Sequence, residues 1–225
     1  MPLAELIDCH KVYEPGGVPV RALRGASVRI EAGEGLAVLG PSGSGKSTLM
    51  HVLGCLDRPS AGAYRLAGHD VSQLDDDALS FIRNRYIGFV FQVFNLIPTL
   101  SVLGNAEVPL FYAGVPRRER HRRGMRWIEA VGLAGRAHHR PSELSGGEQQ
   151  RAAVARALVN DPLIILADEP TGNLDTATGS EVMQVFLDLN AAGRTVVMVT
   201  HDDHLARQWP RQVRLQDGRV LEEGA

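Results

Sequence analysis

Gly40-Pro41-Ser42-Gly43-Ser44-Gly45-Lys46-Ser47-Thr48 joins two apolar segments, residues 36–39 before it and residues 49–53 after it. The first segment ends a run (35–39) that reads as a buried strand. Residues 46–54 read as a helix, so the unit is strand, loop, helix. A glycine, four residues, then Gly-Lys-Ser is the spacing a phosphate cradle needs. Glycines let consecutive backbone N–H groups curl around phosphate oxygens. The helix that follows turns its positive end to the same anion. Lys46 brings a compact ammonium to the β- and γ-phosphates, and Ser47 offers a hydroxyl to Mg2+. A flexible Gly/Ser linker would not carry apolar segments on both flanks. Residues 40–48 are therefore the candidate nucleotide-binding residues.

Working outward, residues 163–167 (Leu-Ile-Ile-Leu-Ala) form a continuous apolar run, as in a parallel strand covered on both faces. Asp168-Glu169 follows. Ligands of open α/β sheets sit beyond the carboxyl ends of strands, so Asp168 is a candidate metal ligand and Glu169 a candidate base for the attacking water. A helix cap or solvated turn is the plainer reading of Asp-Glu-Pro taken alone. His201 follows a second apolar run (195–199) and is a candidate γ-phosphate contact. Helical patterns at 176–190 and 202–208 separate these runs, and Asp217-Gly218 joins residues 213–216 and 219–222 as a hairpin. Near the N-terminus, residues 4–12 and 18–30 read as strands joined by a turn at Pro15-Gly16-Gly17. Shorter strands are expected at 63–66 and 87–91, and a helix at 75–85. Residues 100–160 carry few strand signals. Helices are expected there at 101–108, at 116–131 with Pro116 in the first turn, and at 147–160. Alternation of strand and helix implies an α/β sheet, with the helical middle inserted as a lobe.

Composition bounds the function. With 225 residues, 44% hydrophobic and 22% charged, the chain is globular rather than disordered or fibrous. The 24 basic and 26 acidic residues leave a net charge of −2, which argues against a nucleic-acid partner. Two cysteines, Cys9 and Cys55, exclude a disulfide framework. No apolar run approaches a membrane span, and Met1-Pro2-Leu3 opens no signal peptide. The expectation is a cytoplasmic protein with no membrane segment of its own. Six arginines between Arg117 and Arg126 read as a solvated helix face in an arginine-rich chain rather than a lipid or nucleic-acid patch. His138-His139 lacks the partners of a metal site. Among the 24 basic residues only Lys11 and Lys46 are lysines, which makes each worth a question because the two cations differ in shape and hydration.

Leu144-Ser145-Gly146-Gly147-Glu148-Gln149-Gln150-Arg151 opens another helix and is a second anion-binding device. One nucleotide does not need two such loops from one chain, and a dimer resolves this: each nucleotide lies between the loop at 40–48 of one subunit and the loop at 144–149 of the other. With this segment the sequence resembles the ATP-binding-cassette (ABC) ATPases over essentially its whole length. The phosphate loop, residues 144–149, the acidic strand and His201 occur in that family's order. Within the family it is most similar to the ATPases of the lipoprotein-releasing and macrolide-exporter group, on residues 91–100, 105–114, 148–150 and 171–175. Glu148 stands where the common signature has glutamine.

The resemblance implies a P-loop ABC ATPase core, α/β in class, with an N-terminal antiparallel β subdomain and an inserted α-helical subdomain. Residues 1–92 and 161–225 would form the core and 93–160 the helical subdomain, all one domain. It implies that Tyr13 stacks on adenine and that Gln92 touches the metal and the attacking water. Ser145, Gly146, Gly147 and Asp175 would meet the nucleotide across a homodimer interface. The implied cofactors are ATP and Mg2+, with Ser47, Gln92 and Asp168 at the metal, and Lys46, Gln92, Glu169 and His201 as the catalytic set. The implied function is a motor driving separate transmembrane permease subunits for lipoprotein release or export of hydrophobic or peptide cargo. An ATPase of a non-transporting envelope signalling complex is the alternative. Either places the chain peripherally on the cytoplasmic face of the inner membrane.

Overall fold

The computed structural model describes residues 1–224. Two strands, β1 (Ala4–Tyr13) and β2 (Val20–Ile30), pair antiparallel from Ala4↔Ile30 to Tyr13↔Val20. β3 (Gly35–Leu39) leads through the glycine-rich loop into α1 (Lys46–Leu53). β4 (Ala61–Leu66) and the two-residue β5 (His69–Asp70) complete a sheet of order β2-β1-β4-β5. Next come α2 (Asp76–Tyr86) and β6 (Ile87–Val90), then α3 (Val102–Tyr112), α4 (Arg117–Ala130) and α5 (Gly146–Leu158). The chain closes with β7 (Ile164–Asp168), α6 (Thr176–Ala191), β8 (Thr195–Thr200), α7 (Asp203–Ala206), β9 (Arg211–Gln216) and β10 (Arg219–Gly224).

The second sheet runs β10-β9-β3-β8-β7-β6, parallel except for the β9–β10 hairpin. Its strands show why continuous apolar runs were needed. Leu36 and Val38 of β3, Ile164 and Leu166 of β7, and Val197 and Val199 of β8 face one core, together with α1 and the antiparallel sheet. The alternate residues Ala37, Leu39, Ile165, Ala167, Val196 and Met198 face a second core formed with α3, α5 and α6. Successive side chains point to opposite faces, and here both faces are dry. Each such Leu, Ile or Val contributes roughly 1.5–3 kcal/mol by leaving water. Helix α1 is thus clamped between the two sheets, which fixes where its N-terminus points.

The structure departs from the sequence reading in places with physical causes. Helix α3 does not stop at residue 108; it runs through Pro109 to Tyr112. Proline removes a helical donor, but the Pro109 carbonyl accepts from Asn84 Nδ2 (3.0 Å), Asn160 Nδ2 (3.3 Å) and the Ala113 amide (3.0 Å), which anchor this end. Pro116 is the N-cap of α4, not its first turn: its ψ of 145° is extended, and its carbonyl accepts the Glu119 and Arg120 amides. The helix expected at 202–208 is four residues long, because Trp209 turns inward. Trp209 is buried with Cε3 only 2.8 Å from where a Cβ on Gly35 would lie, so β3 must begin with glycine. Asp217 (φ 50°) and Gly218 (φ 77°) make the expected tight turn.

Candidate active site

Helices α2, α3, α5, α6 and α7 begin with side-chain caps from Asp75, Ser101, Ser145, Asp175 and Asp202. Helix α1 does not: its N-cap is Gly45, at φ 105°, with no side-chain acceptor. The amides of its first turn are left for a ligand. The loop before it leaves no space for side chains at two of its glycines. A Cβ on Gly40 would lie 2.1 Å from the Leu215 carbonyl oxygen, and one on Gly45 2.5 Å from that of Ala22. Gly43 (φ 78°) faces open space. Lys46 is 7% exposed, and its Nζ donates to the carbonyls of Gly40 (2.7 Å) and Pro41 (2.9 Å). Pro41, Ser42 and Ser47 are exposed and Thr48 half-buried, whereas Ser44 is buried and its carbonyl accepts from the Gly218 amide.

The carboxyl ends of four adjacent parallel strands carry the remaining candidates. In sheet order, β3 ends at the loop of residues 40–48, β8 precedes His201, β7 ends in Asp168 just before Glu169, and β6 precedes Gln92. Three strand spacings put these groups along about 14 Å of one edge. Glu169 has φ 44°, and its amide donates to the Val199 carbonyl (2.9 Å). Its Oε2 lies 2.9 Å from His201 Nδ1. Burial, and then the charge of Glu169, pushes the Asp168 carboxyl above the usual carboxylate range; His51 and Lys46 oppose this. Gln92 is bound to Asn173 in both directions: Nε2 donates to Asn173 Oδ1 (3.4 Å), and Asn173 Nδ2 donates to the Gln92 carbonyl (3.0 Å). Tyr13, at the end of β1, is half-buried beside Thr48, and its hydroxyl donates to Asp57 Oδ2 (2.9 Å).

The segment at 145–149 lies elsewhere. Residues of α5 belong to the core on the opposite face of the parallel sheet from α1. Ser145 caps α5 reciprocally: its Oγ accepts from the Glu148 amide (3.2 Å), and Glu148 Oε2 accepts from the Ser145 amide (2.8 Å). Arg136 pairs with Glu148 at 3.4 Å. A Cβ on Gly147 would fall 2.2 Å from Thr178 Cγ2, and one on Gly146 3.0 Å from Leu174 Cδ2, so both glycines let α5 close on the start of α6. The Asp175 carboxylate accepts from the amide (3.0 Å) and the hydroxyl (2.7 Å) of Thr178. Within one chain the loop at 40–48 and the segment at 145–149 do not form one site.

Several residues here escaped the sequence reading. Gln150 is fully buried, and its Nε2 donates to the carbonyls of Pro170 (2.7 Å) and Phe91 (3.2 Å), tying α5 to the ends of β7 and β6. An amide on a buried face amid alanines was the available signal. His51, in the last turn of α1, breaks an apolar stretch and lies close enough to Asp168 to help lower its carboxyl. Of the arginine-rich helix α4, Arg122 and Arg123 bind Glu119, whose carboxyl they hold down to about 2. Among the described residues no group of three or more His, Cys, Asp or Glu could hold a metal. Nor is any helix there long and apolar enough to cross a membrane.

The chain is similar to known proteins over this whole arrangement. A family profile described as "ABC transporter" matches residues 23–172. A Thermotoga maritima protein, an uncharacterized ABC transporter ATP-binding protein, is 54% identical over 96% of this chain and 92% of its own length. A macrolide export ATP-binding/permease protein of Sodalis glossinidius is 51% identical over 98% of this chain, and a pyoverdine export ATP-binding/permease protein of Pseudomonas aeruginosa 50% identical over 100%. The chain spans 34% of the length of each of these two export relatives. Among solved structures, a dimeric ATP-binding cassette in a post-hydrolysis state, bound to ADP and Pi, superposes with a TM-score of 0.90 at 44% identity, covering 98% of this chain and 97% of its own.

Proposed function

The chain belongs to the ABC transporter family of ATPases, and on that premise we propose that it is the motor of a membrane exporter, closing as a homodimer around two Mg·ATP. The observation that carries this is the division of the ligand-binding groups: an uncapped α1 and the acidic strand end on one face, and the Ser145–Gly147 loop on the other. Two copies arranged head to tail place each loop of one against the phosphate loop of the next. The solved relative that is dimeric and bound to ADP and Pi supports this arrangement.

In this reading Gly43, Gly45, Lys46, Ser47 and Thr48 bind the phosphates, and the Lys46 ammonium exchanges its carbonyl partners for phosphate oxygens. Ser47, Gln92 and Asp168 would hold Mg2+. This oxygen donor set fits a hard cation, and a cation there would offset the burial, and then the Glu169 charge, that push the Asp168 carboxyl up. When bound, the ion neutralises charge on the phosphate oxygens. Glu169 orients the attacking water and takes its proton, while His201, held by Glu169, faces the γ-phosphate. Ser145 and Gly147 of the opposing subunit complete the site on closure, so hydrolysis is coupled to dimerisation. Tyr13 stacks on the base.

A permease supplies the load. An open groove of about 1110 Å3 between α2, β6, α3 and α5 exposes Phe81 (66%) and Tyr112 (77%) beside Arg85 and Arg156, a surface fitted to a helix of a membrane subunit. The lobe at 93–160 and the Gln92 segment would carry the motion to it at the cytoplasmic membrane face. The export relatives support an exported cargo. The test is Glu169→Gln: hydrolysis falls at least ~100-fold while ATP binding persists, and Mg·ATP shifts the variant to a dimer in size-exclusion chromatography. A variant that hydrolyses normally, or stays monomeric with ATP, refutes the assignment.

A further inference from the structure

Tyr13 is the last residue of β1, beyond the point where β4 stops pairing at His10↔Ala61. A half-exposed ring at a strand end has rotamers to lose before it can receive a base. Its surroundings remove that freedom. The Tyr13 hydroxyl donates to Asp57 Oδ2 at 2.9 Å. Asp57 in turn accepts from Lys11 Nζ and, at Oδ1, from the Arg58 amide (2.8 Å). Lys11 Nζ also donates to the Arg58 carbonyl (2.8 Å) and stands over the Tyr13 ring, 5.0 Å from its centroid. The lysine and aspartate side chains are 13% and 28% exposed.

Two consequences follow from this geometry. The ammonium closes one face of the ring, leaving the other for a stacking partner. The carboxylate belongs to the segment just after α1, whose Leu56 and Asp57 amides donate to the His51 carbonyl in the last turn of that helix. Helix α1 starts at the phosphate loop, and eight residues make it about 12 Å long. Through Asp57 the ring is therefore fixed to the same rigid rod that presents the phosphate-binding amides.

We propose that Lys11 and Asp57 are positioning residues for the nucleotide base, holding Tyr13 one-sided and at a set distance from the phosphate loop. The proposal rests on Tyr13 being the base-stacking ring. The two lysines of this arginine-rich chain then serve the two ends of one nucleotide. Burial works against the Asp57 charge, but Lys11, Tyr13 and the Arg58 amide together keep its carboxyl below the usual range, so the tether is ionised at neutral pH.

The test separates base from phosphate. Calorimetry measures binding of Mg·ATP and of Mg·tripolyphosphate to the full chain and to Tyr13→Ala, Tyr13→Phe, Lys11→Met and Asp57→Ala. Tyr13→Phe and Asp57→Ala are expected to weaken ATP about three- to tenfold, the effect of one hydrogen bond, with tripolyphosphate unchanged and KM rising at constant kcat. If Tyr13→Ala weakens ATP while Tyr13→Phe, Lys11→Met and Asp57→Ala bind like wild type, the tether is refuted and the stack survives. If Tyr13→Ala leaves ATP affinity intact, the stack itself is wrong and the tether falls with it. Equal loss of ATP and tripolyphosphate in Asp57→Ala also overturns the proposal, since the residue would then act on α1. Tyr13→Phe, which keeps the ring, decides the matter if Asp57→Ala fails to fold.

Discussion

Glu169 holds a left-handed backbone, φ 44°, without being glycine. Such a residue costs about 1–2 kcal/mol against an ordinary conformation, and non-glycine strain of this kind clusters at functional sites. The hydrogen bond from its amide to the Val199 carbonyl and the contact with His201 hold it there, so its carboxylate leaves the strand at an angle no extended residue would give. Glu169→Gly, freed of the strain, should unfold at higher urea than Glu169→Gln, by about 1 kcal/mol, although the proposed role of Glu169 predicts that both lose most ATP hydrolysis; equilibrium denaturation of the two variants measures it. The identity of this residue was legible, because a carboxylate after a buried strand is conspicuous. Its backbone was not, since nothing in Asp-Glu-Pro distinguishes a left-handed turn from a helix start. The same holds for Lys11 and Asp57, whose pairing joins positions far apart in the chain through a fold that no local pattern specifies.

At the scale of elements, the glycines of the 145–149 loop answer to packing. A methyl at position 147 would meet Thr178 Cγ2 at 2.2 Å. Gly147→Ala should therefore cost about 1–3 kcal/mol and weaken ATP-driven dimerisation. Adding Thr178→Ser, which removes that methyl and keeps the hydroxyl bonded to Asp175, should restore most of the thermal stability. The start of α6 is also expected to respond to pH. The side chain and then the amide of Thr178 hold the Asp175 carboxyl below its usual value. Stability from this cap is present above the unfolded-state pKa, about 4, and is lost as pH falls through the lower folded value. The melting difference between wild type and Asp175→Ala should be largest at neutral pH and shrink toward pH 3. Most helices and strands could be read from their apolar period, as with the helices expected at 101–108, 147–160 and 176–190 and found as α3, α5 and α6. Pro109 misled because its helix end is secured by Asn84 and Asn160 from other elements, and β5 was too short to carry a pattern.

For the whole molecule, the order β10-β9-β3-β8-β7-β6 was beyond the sequence, because strands buried on both faces look alike and carry no mark of their neighbours. That order gathers the candidate nucleotide-binding groups along one strand edge and leaves, between α2 and α3, a separate groove open to solvent that exposes Phe81 and Tyr112 beside Arg85 and Arg156. Tyr112→Asp should leave ATP hydrolysis by the isolated chain within about twofold of wild type, since surface changes away from a site are usually small. If the groove receives a helix of a membrane subunit, as proposed, the change should also reduce co-purification with that subunit from detergent-solubilised membranes; unchanged co-purification would remove the groove from the proposed coupling. The lysine economy of the chain has a practical counterpart. Amine-directed acylation of the unfolded chain finds only Lys11, Lys46 and the terminal amine, and in the fold both lysines are mostly covered and hydrogen-bonded. A mass increment beyond that of the amino terminus therefore counts openings of the structure around Lys11 and Lys46, with no probe introduced by mutation.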